Sequence, residues 1–110
     1  MTKKDLLDII ESLLEAINSL YAKGPTEEEK KEMDDLAEGL DQAQNKLVKL
    51  MIRENDAEYV GLTEKLDAVN SQIKDDLTAL EGLRKLLDGV KQGVELITAI
   101  VKLVGVAAAA

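Results

Sequence analysis

Apolar residues recur every three or four positions in three stretches of the chain, which are separated by two breaks. This spacing follows the turn of an α-helix, about 3.6 residues, and predicts helices at residues 3–22, 27–54 and 57–104. The first stretch carries a wide apolar face, which predicts that its helix contacts at least two neighbours. Its seam consists of Leu6, Ile10, Leu13, Ile17 and Leu20.

The first break combines several helix-ending and helix-starting signals. Gly24 is suited to the left-handed conformation that ends many helices, and Pro25 cannot continue a helix. Thr26 and Glu29 have the spacing of a capping box, which predicts that the second helix begins at residue 27. The second break, residues 54–56, is softer, and there Asn55 or Asp56 is the expected N-cap of the next helix.

The third stretch keeps one heptad phase from Leu62 to Val104 and contains no proline. Because a connecting loop would normally shift that phase, the pattern favours a single long helix. The sequence therefore predicts an all-α antiparallel bundle of three helices with a long C-terminal helix. The alternative is a compact up-down bundle of four helices, with a turn near Gly82 or Gly89, where glycine weakens the helix.

The predicted helices form one domain over residues 1–106. Residues 107–110 are all alanine and are set aside as a tail that resembles a cloning scar. A chain of 110 residues lies near the usual size of a single domain.

The most unusual segment is residues 86–106, where a helix would carry only a narrow polar stripe. That stripe consists of Asp88, Lys91, Glu95, Thr98 and Lys102. An apolar surface this wide must be covered, by the protein's own core, by another protein helix or by a membrane surface. Membrane contact is the least favoured of the three, because charges interrupt the apolar run and the stripe is not strongly basic. The candidate interaction residues are Val90, Val94, Ile97, Ile100, Val101 and Val104.

Asp76 is the one polar residue at a seam position of the third stretch. One interpretation places it at a wet edge of the bundle, with Leu77 taking the core position. The other makes it a residue that selects register or partner, as buried polar groups do in coiled coils.

Composition narrows the function classes. The net charge is −8 and no basic patch interrupts it, so we expect no nucleic-acid partner. Cysteine and histidine are absent, which removes disulfides, the commonest metal ligand and the usual general base. The pairs of carboxylates are those expected on solvated helix faces. We therefore predict a protein that is not an enzyme, without cofactor, bound metal or small-molecule substrate.

The leading functional hypothesis is a structural or interaction protein that uses its C-terminal helix for self-association or for docking to a helical partner. The alternatives are a membrane-active helical protein, similar in outline to pore formers, and a small regulatory, inhibitor or chaperone-like binding protein. Because the first residues lack the apolar core of a signal peptide, the cytoplasm is the expected location.

Overall fold

A computed structural model describes residues 1–109, with side chains through Val106. Every regular element in this part of the chain is a helix. The helices are α1 (Lys3–Tyr21), α2 (Glu27–Lys49), α3 (Ala57–Thr78) and α4 (Leu83–Ala109). The all-α prediction is confirmed, and the four-helix alternative fits, whereas the main prediction of three helices is wrong. Of the predicted tail 107–110, three residues continue α4, and Ala110 lies outside the described residues.

The connection between α1 and α2 follows the sequence signals. Gly24 has a φ of +71°, the left-handed conformation that glycine adopts without steric cost. The Glu29 backbone N–H donates to Thr26 Oγ1 at 3.1 Å, and the Thr26 backbone N–H donates to Glu29 Oε1 at 3.0 Å. These two bonds are the predicted capping box, and they satisfy N–H groups that the helix start leaves without partners.

Helix α2 ends at Lys49, five residues before the predicted end at residue 54. Leu50 is extended, and the Lys3 ammonium donates to the backbone carbonyls of Val48 and Leu50, each at 2.8 Å. A cation on these carbonyls matches the negative end of the helix dipole and ties the start of α1 to the end of α2. Asp56 then caps α3 by accepting the Tyr59 backbone N–H at 3.0 Å, as one of the two predicted caps.

The predicted long helix is interrupted at residues 79–82, beside one of the two predicted turn positions. Ala79 is the C-cap of α3, and Leu80 has a φ of +57°. The N–H groups of Leu80 and Glu81 donate to the carbonyls of Leu77 and Asp76, at 3.2 and 3.0 Å. This is the Schellman arrangement, with leucine in the place that glycine usually takes. The heptad phase survives because the four-residue turn is close to one helical turn in length.

Helices α1 and α4 lie against each other across the centre of the bundle, and α2 and α3 flank them. The core is aliphatic apart from Tyr59, and it runs the length of the molecule. The polar side chains of the core all belong to α3. They are those of Thr63, Asn70 and Asp76.

Candidate interaction surface on helices α3 and α4

The six candidate interaction residues of α4 are placed mainly inside the bundle. Val90, Ile97, Ile100 and Val104 are buried, while Val94 and Val101 are half-buried. The polar stripe of α4, from Asp88 to Lys102, faces solvent. Of the three covers considered for this helix, the structure therefore supplies the protein's own core. While the bundle is closed, the four buried side chains are out of reach of a partner.

Helix α3 buries only part of the apolar face that its sequence pattern defines. Leu66 of that pattern is buried. Thr63 and Asn70 are buried as well, whereas Leu62 and Val69, one position earlier in each case, are half-buried. In a helix these two pairs mark opposite edges of one face. The polar edge therefore points toward α1, and the apolar edge points toward α4 and outward.

Asn70 shows the cost of this rotation. Its Oδ1 atom is buried and accepts no hydrogen bond from the described part of the chain. A buried acceptor without a partner destabilises a fold by about 1–3 kcal/mol. Thr63 meets its requirement locally, since its hydroxyl donates to the Val60 carbonyl at 3.1 Å.

The apolar edge of α3 and the facing side of α4 form a shallow groove. At one end it is lined by Lys65, Ala68, Val69, Gln92, Glu95 and Leu96. It continues past Gln72, Ile73, Asp76 and Gly89. We refer to these ten residues as the α3–α4 groove. Sequence reasoning missed this surface, because it assumed that Leu62 and Val69 both lie in the core.

Asp76 closes one end of the groove. Its side chain is 10% exposed, accepts a hydrogen bond from Gln72 Nε2 at 2.9 Å and lies 3.5 Å from Lys85 Nζ. Asp76 and then Glu81 raise the pKa of Lys85, because both carboxylates favour its charged form. Asp76 is thus more buried than the half-buried Leu77, which differs from the wet-edge interpretation. Its role in selecting register or partner stays a prediction.

A second ion pair network joins α4 to α2. The Arg84 guanidinium lies 2.7 Å from Asp88 and 3.3 Å from Glu32, and these hydrogen bonds raise its pKa. All three side chains are partly exposed, so this network orients α4 on α2 more than it stabilises the fold.

No protein family, curated protein or solved structure matches this chain.

Three further observations concern metal binding, membrane spans and cavities. Within residues 1–109, no three carboxylate residues are grouped closely enough to hold a metal ion. In the same part of the chain, none of the helices combines the length and apolar character that a membrane span requires. A small cavity near Tyr59 and Leu103 holds about 50 Å³, which is too little for a drug-sized molecule.

Proposed function

We propose that this protein is a helical interaction module that binds an amphipathic helix of a partner protein in the α3–α4 groove. The observation that carries the proposal is the rotation of α3. The core contains Asn70 and Thr63, while Val69 is only partly buried and lines the groove. A helix optimised only for its own bundle would bury the valine instead.

The shape of the groove suits a helix. Its α3 wall runs from Lys65 to Asp76, about 17 Å at 1.5 Å per residue, or three turns of a bound helix. The floor is apolar at Val69 and Ile73, and the small side chain of Ala68 leaves room for close approach. Helix-in-groove recognition uses such surfaces, with apolar side chains of the ligand spaced three and four residues apart.

Charge also favours this side of the molecule. Residues 1–56 carry fourteen acidic and eight basic side chains, whereas residues 57–110 carry eight acidic and six basic ones. The hairpin of α3 and α4 is therefore close to neutral, with Lys65 on one wall of the groove and Glu95 on the other. An uncharged apolar helix face can bind this surface while removing water from few charged side chains. Binding to the acidic first half of the chain would remove water from more of them.

The test uses helical peptides selected for binding to the wild-type protein from a displayed library of amphipathic sequences. Ala68→Arg places a long cation in the groove and is expected to weaken binding of these peptides by about tenfold or more. Ser71→Arg is the matched control, since Ser71 is exposed on the same helix outside the groove. Peptide affinities are measured by fluorescence anisotropy.

Binding that Ser71→Arg preserves and Ala68→Arg abolishes supports the proposal. Peptides that bind both variants equally well, or a library that yields no binders, would overturn it.

A further inference from the structure

The turn between α3 and α4 holds a leucine in an unfavourable state. Leu80 is in the left-handed conformation with a φ of +57°, and its side chain is 80% exposed. A residue with a Cβ atom is strained in this conformation. In addition, the apolar surface of an exposed leucine has an unfavourable free energy in water. Both penalties disappear if the turn becomes helical and Leu80 finds an apolar partner.

The same four residues fit a continuous helix. Leu80 lies seven residues after Ile73 and seven before Leu87, and both of these neighbours are buried. Straightening residues 79–82 would therefore place Leu80 on the seam that runs through α3 and α4. No proline interrupts this stretch, and Gly82 is the only weak helix former within it.

We propose that two copies of this chain exchange α4 through this turn. In the exchanged dimer, α3 and α4 of each copy form one long helix, and each α4 packs on α1, α2 and α3 of the other copy. In each copy, the place of α4 is thus filled by α4 of the second copy. This inference concerns a different feature from the groove and does not rest on the proposed partner helix.

The contacts across the hairpin place Leu80 at the symmetry axis of such a dimer. Gly89 faces Ile73, Gly93 faces Val69, and Lys85 pairs with Asp76, so facing residue numbers add up to 161 or 162. If the exchanged α4 keeps the same contacts, the two-fold axis passes near residues 80 and 81. The Leu80 side chains of the two copies then meet, which buries the apolar surface that the monomer leaves exposed.

The balance between the monomer and the exchanged dimer follows from the gains and costs of exchange. Exchange relieves the strain at Leu80 twice per dimer and keeps the interfaces of α4, but it costs association entropy and places Gly82 inside a helix. The exchanged dimer is therefore expected at high protein concentration or after refolding from denaturant, and it returns slowly to monomer, since α4 must leave the core first.

Two variants shift this equilibrium in opposite directions. Leu80→Gly removes the strain from the turn and weakens the long helix, so the dimer fraction at a given concentration should fall about tenfold or more. Gly82→Ala should raise it, because alanine favours the helix and its Cβ meets no atom within 4 Å in the turn. Light scattering after size-exclusion chromatography measures both fractions, with the 12.0 kDa chain as the reference.

A cysteine pair then separates exchange from side-by-side association. A Cβ atom at Gly89 would lie 3.1 Å from Ile73 Cγ1, within reach of a disulfide between Ile73→Cys and Gly89→Cys. The chain has no other cysteine. After oxidation, the dimer fraction should run as a covalent dimer on a non-reducing denaturing gel, and the monomer fraction should run as a single chain.

Two outcomes would overturn the inference. One is a dimer fraction that runs as single chains after oxidation, which would mean that the copies associate without exchanging α4. The other is a monomeric mass for Gly82→Ala at every concentration and after refolding. The hinge variants keep the test decisive if the cysteine variant does not fold.

Discussion

At the scale of single residues, Tyr59 is a titratable side chain that is buried in the core. It is 1% exposed, and its hydroxyl donates to the Met1 backbone carbonyl at 2.9 Å. Burial raises the pKa of Tyr59 to about 12, and the negative charges of Glu54 and Asp5 add to this shift. The neutral phenol is therefore part of the folded structure, since the phenolate would lie beside two carboxylates in an apolar site.

This shift predicts a specific loss of stability in alkali. The contribution of Tyr59 is present in full below its ordinary pKa of 10, and it is lost as the pH rises toward 12, because the unfolded chain releases this proton first. Urea unfolding of wild type should show a fall in the free energy of unfolding between pH 10 and 12 that is smaller in Tyr59→Phe. Equal pH dependence in the two proteins would contradict the assignment.

Residue-scale signals in the sequence are reliable where the chemistry is local. The capping pair Thr26 and Glu29, the cap Asp56 and the conformation of Gly24 were predictable because each depends on neighbours within a few positions. The burial of Asn70 depends instead on how far α3 rotates against α1. The identity of the residue does not encode that angle, so the sequence alone did not indicate that Asn70 is buried.

At the scale of helices, the two glycines at positions 89 and 93 set how closely α4 approaches its neighbours. A Cβ atom at Gly93 would lie 3.2 and 3.3 Å from the two terminal methyl groups of Leu13, and one at Gly89 would lie 3.1 Å from Ile73. The spacing of these glycines matches the pattern of close helix pairs, and in this bundle they serve contacts of α4 with α1 and α3 of the same chain.

We therefore predict opposite effects for two glycine-to-alanine substitutions in helices. Gly93→Ala should lower the free energy of unfolding by about 1–2 kcal/mol, because Leu13 is fully buried and a rotation that relieves one methyl group moves the other. Gly61→Ala should raise it by up to about 1 kcal/mol, since a Cβ atom there meets nothing within 4 Å. Thermal and urea unfolding followed by circular dichroism compare the two. A stabilised Gly93→Ala would show that α1 and α4 are not closely packed.

The division of the second half of the chain into two helices was the main point at which the sequence misled. Heptad phase reports which face is apolar, and a turn of four residues changes that phase very little. The strained Leu80 is not a usual turn residue, so nothing at that position marked the end of α3. The nearby Gly82 was the only local signal, and it pointed to the correct region.

At the scale of the whole molecule, α4 is the centre of the bundle rather than an arm. It contacts each of the other three helices, and its apolar residues make up a large part of the core. The predicted need to cover this helix was sound, because a wide apolar surface cannot stay in water. Which surface covers α4 depends on where the chain turns. The continuous heptad pattern had favoured a helix without a turn at residues 79–82.

This placement predicts how the molecule responds to charge in α4. Val94→Asp combined with Val101→Asp puts two carboxylates against the core and should unfold the protein, seen as loss of helical circular dichroism at room temperature. The matched control is Lys91→Asp combined with Thr98→Asp, with the same spacing on the exposed stripe, which should stay folded. A folded double valine variant would show that the core does not depend on this face of α4.

Helix α3 carries the buried polar side chains of the core. It also forms one wall of the groove and leads into the strained turn at Leu80. Its separation from α4 is the motion that chain exchange requires. A molecule that bridges both walls of the groove would resist that separation. Because the exchanged dimer contains the same groove, a bound ligand would slow exchange in both directions without favouring either state. Ligand concentration would therefore set how often two chains exchange α4.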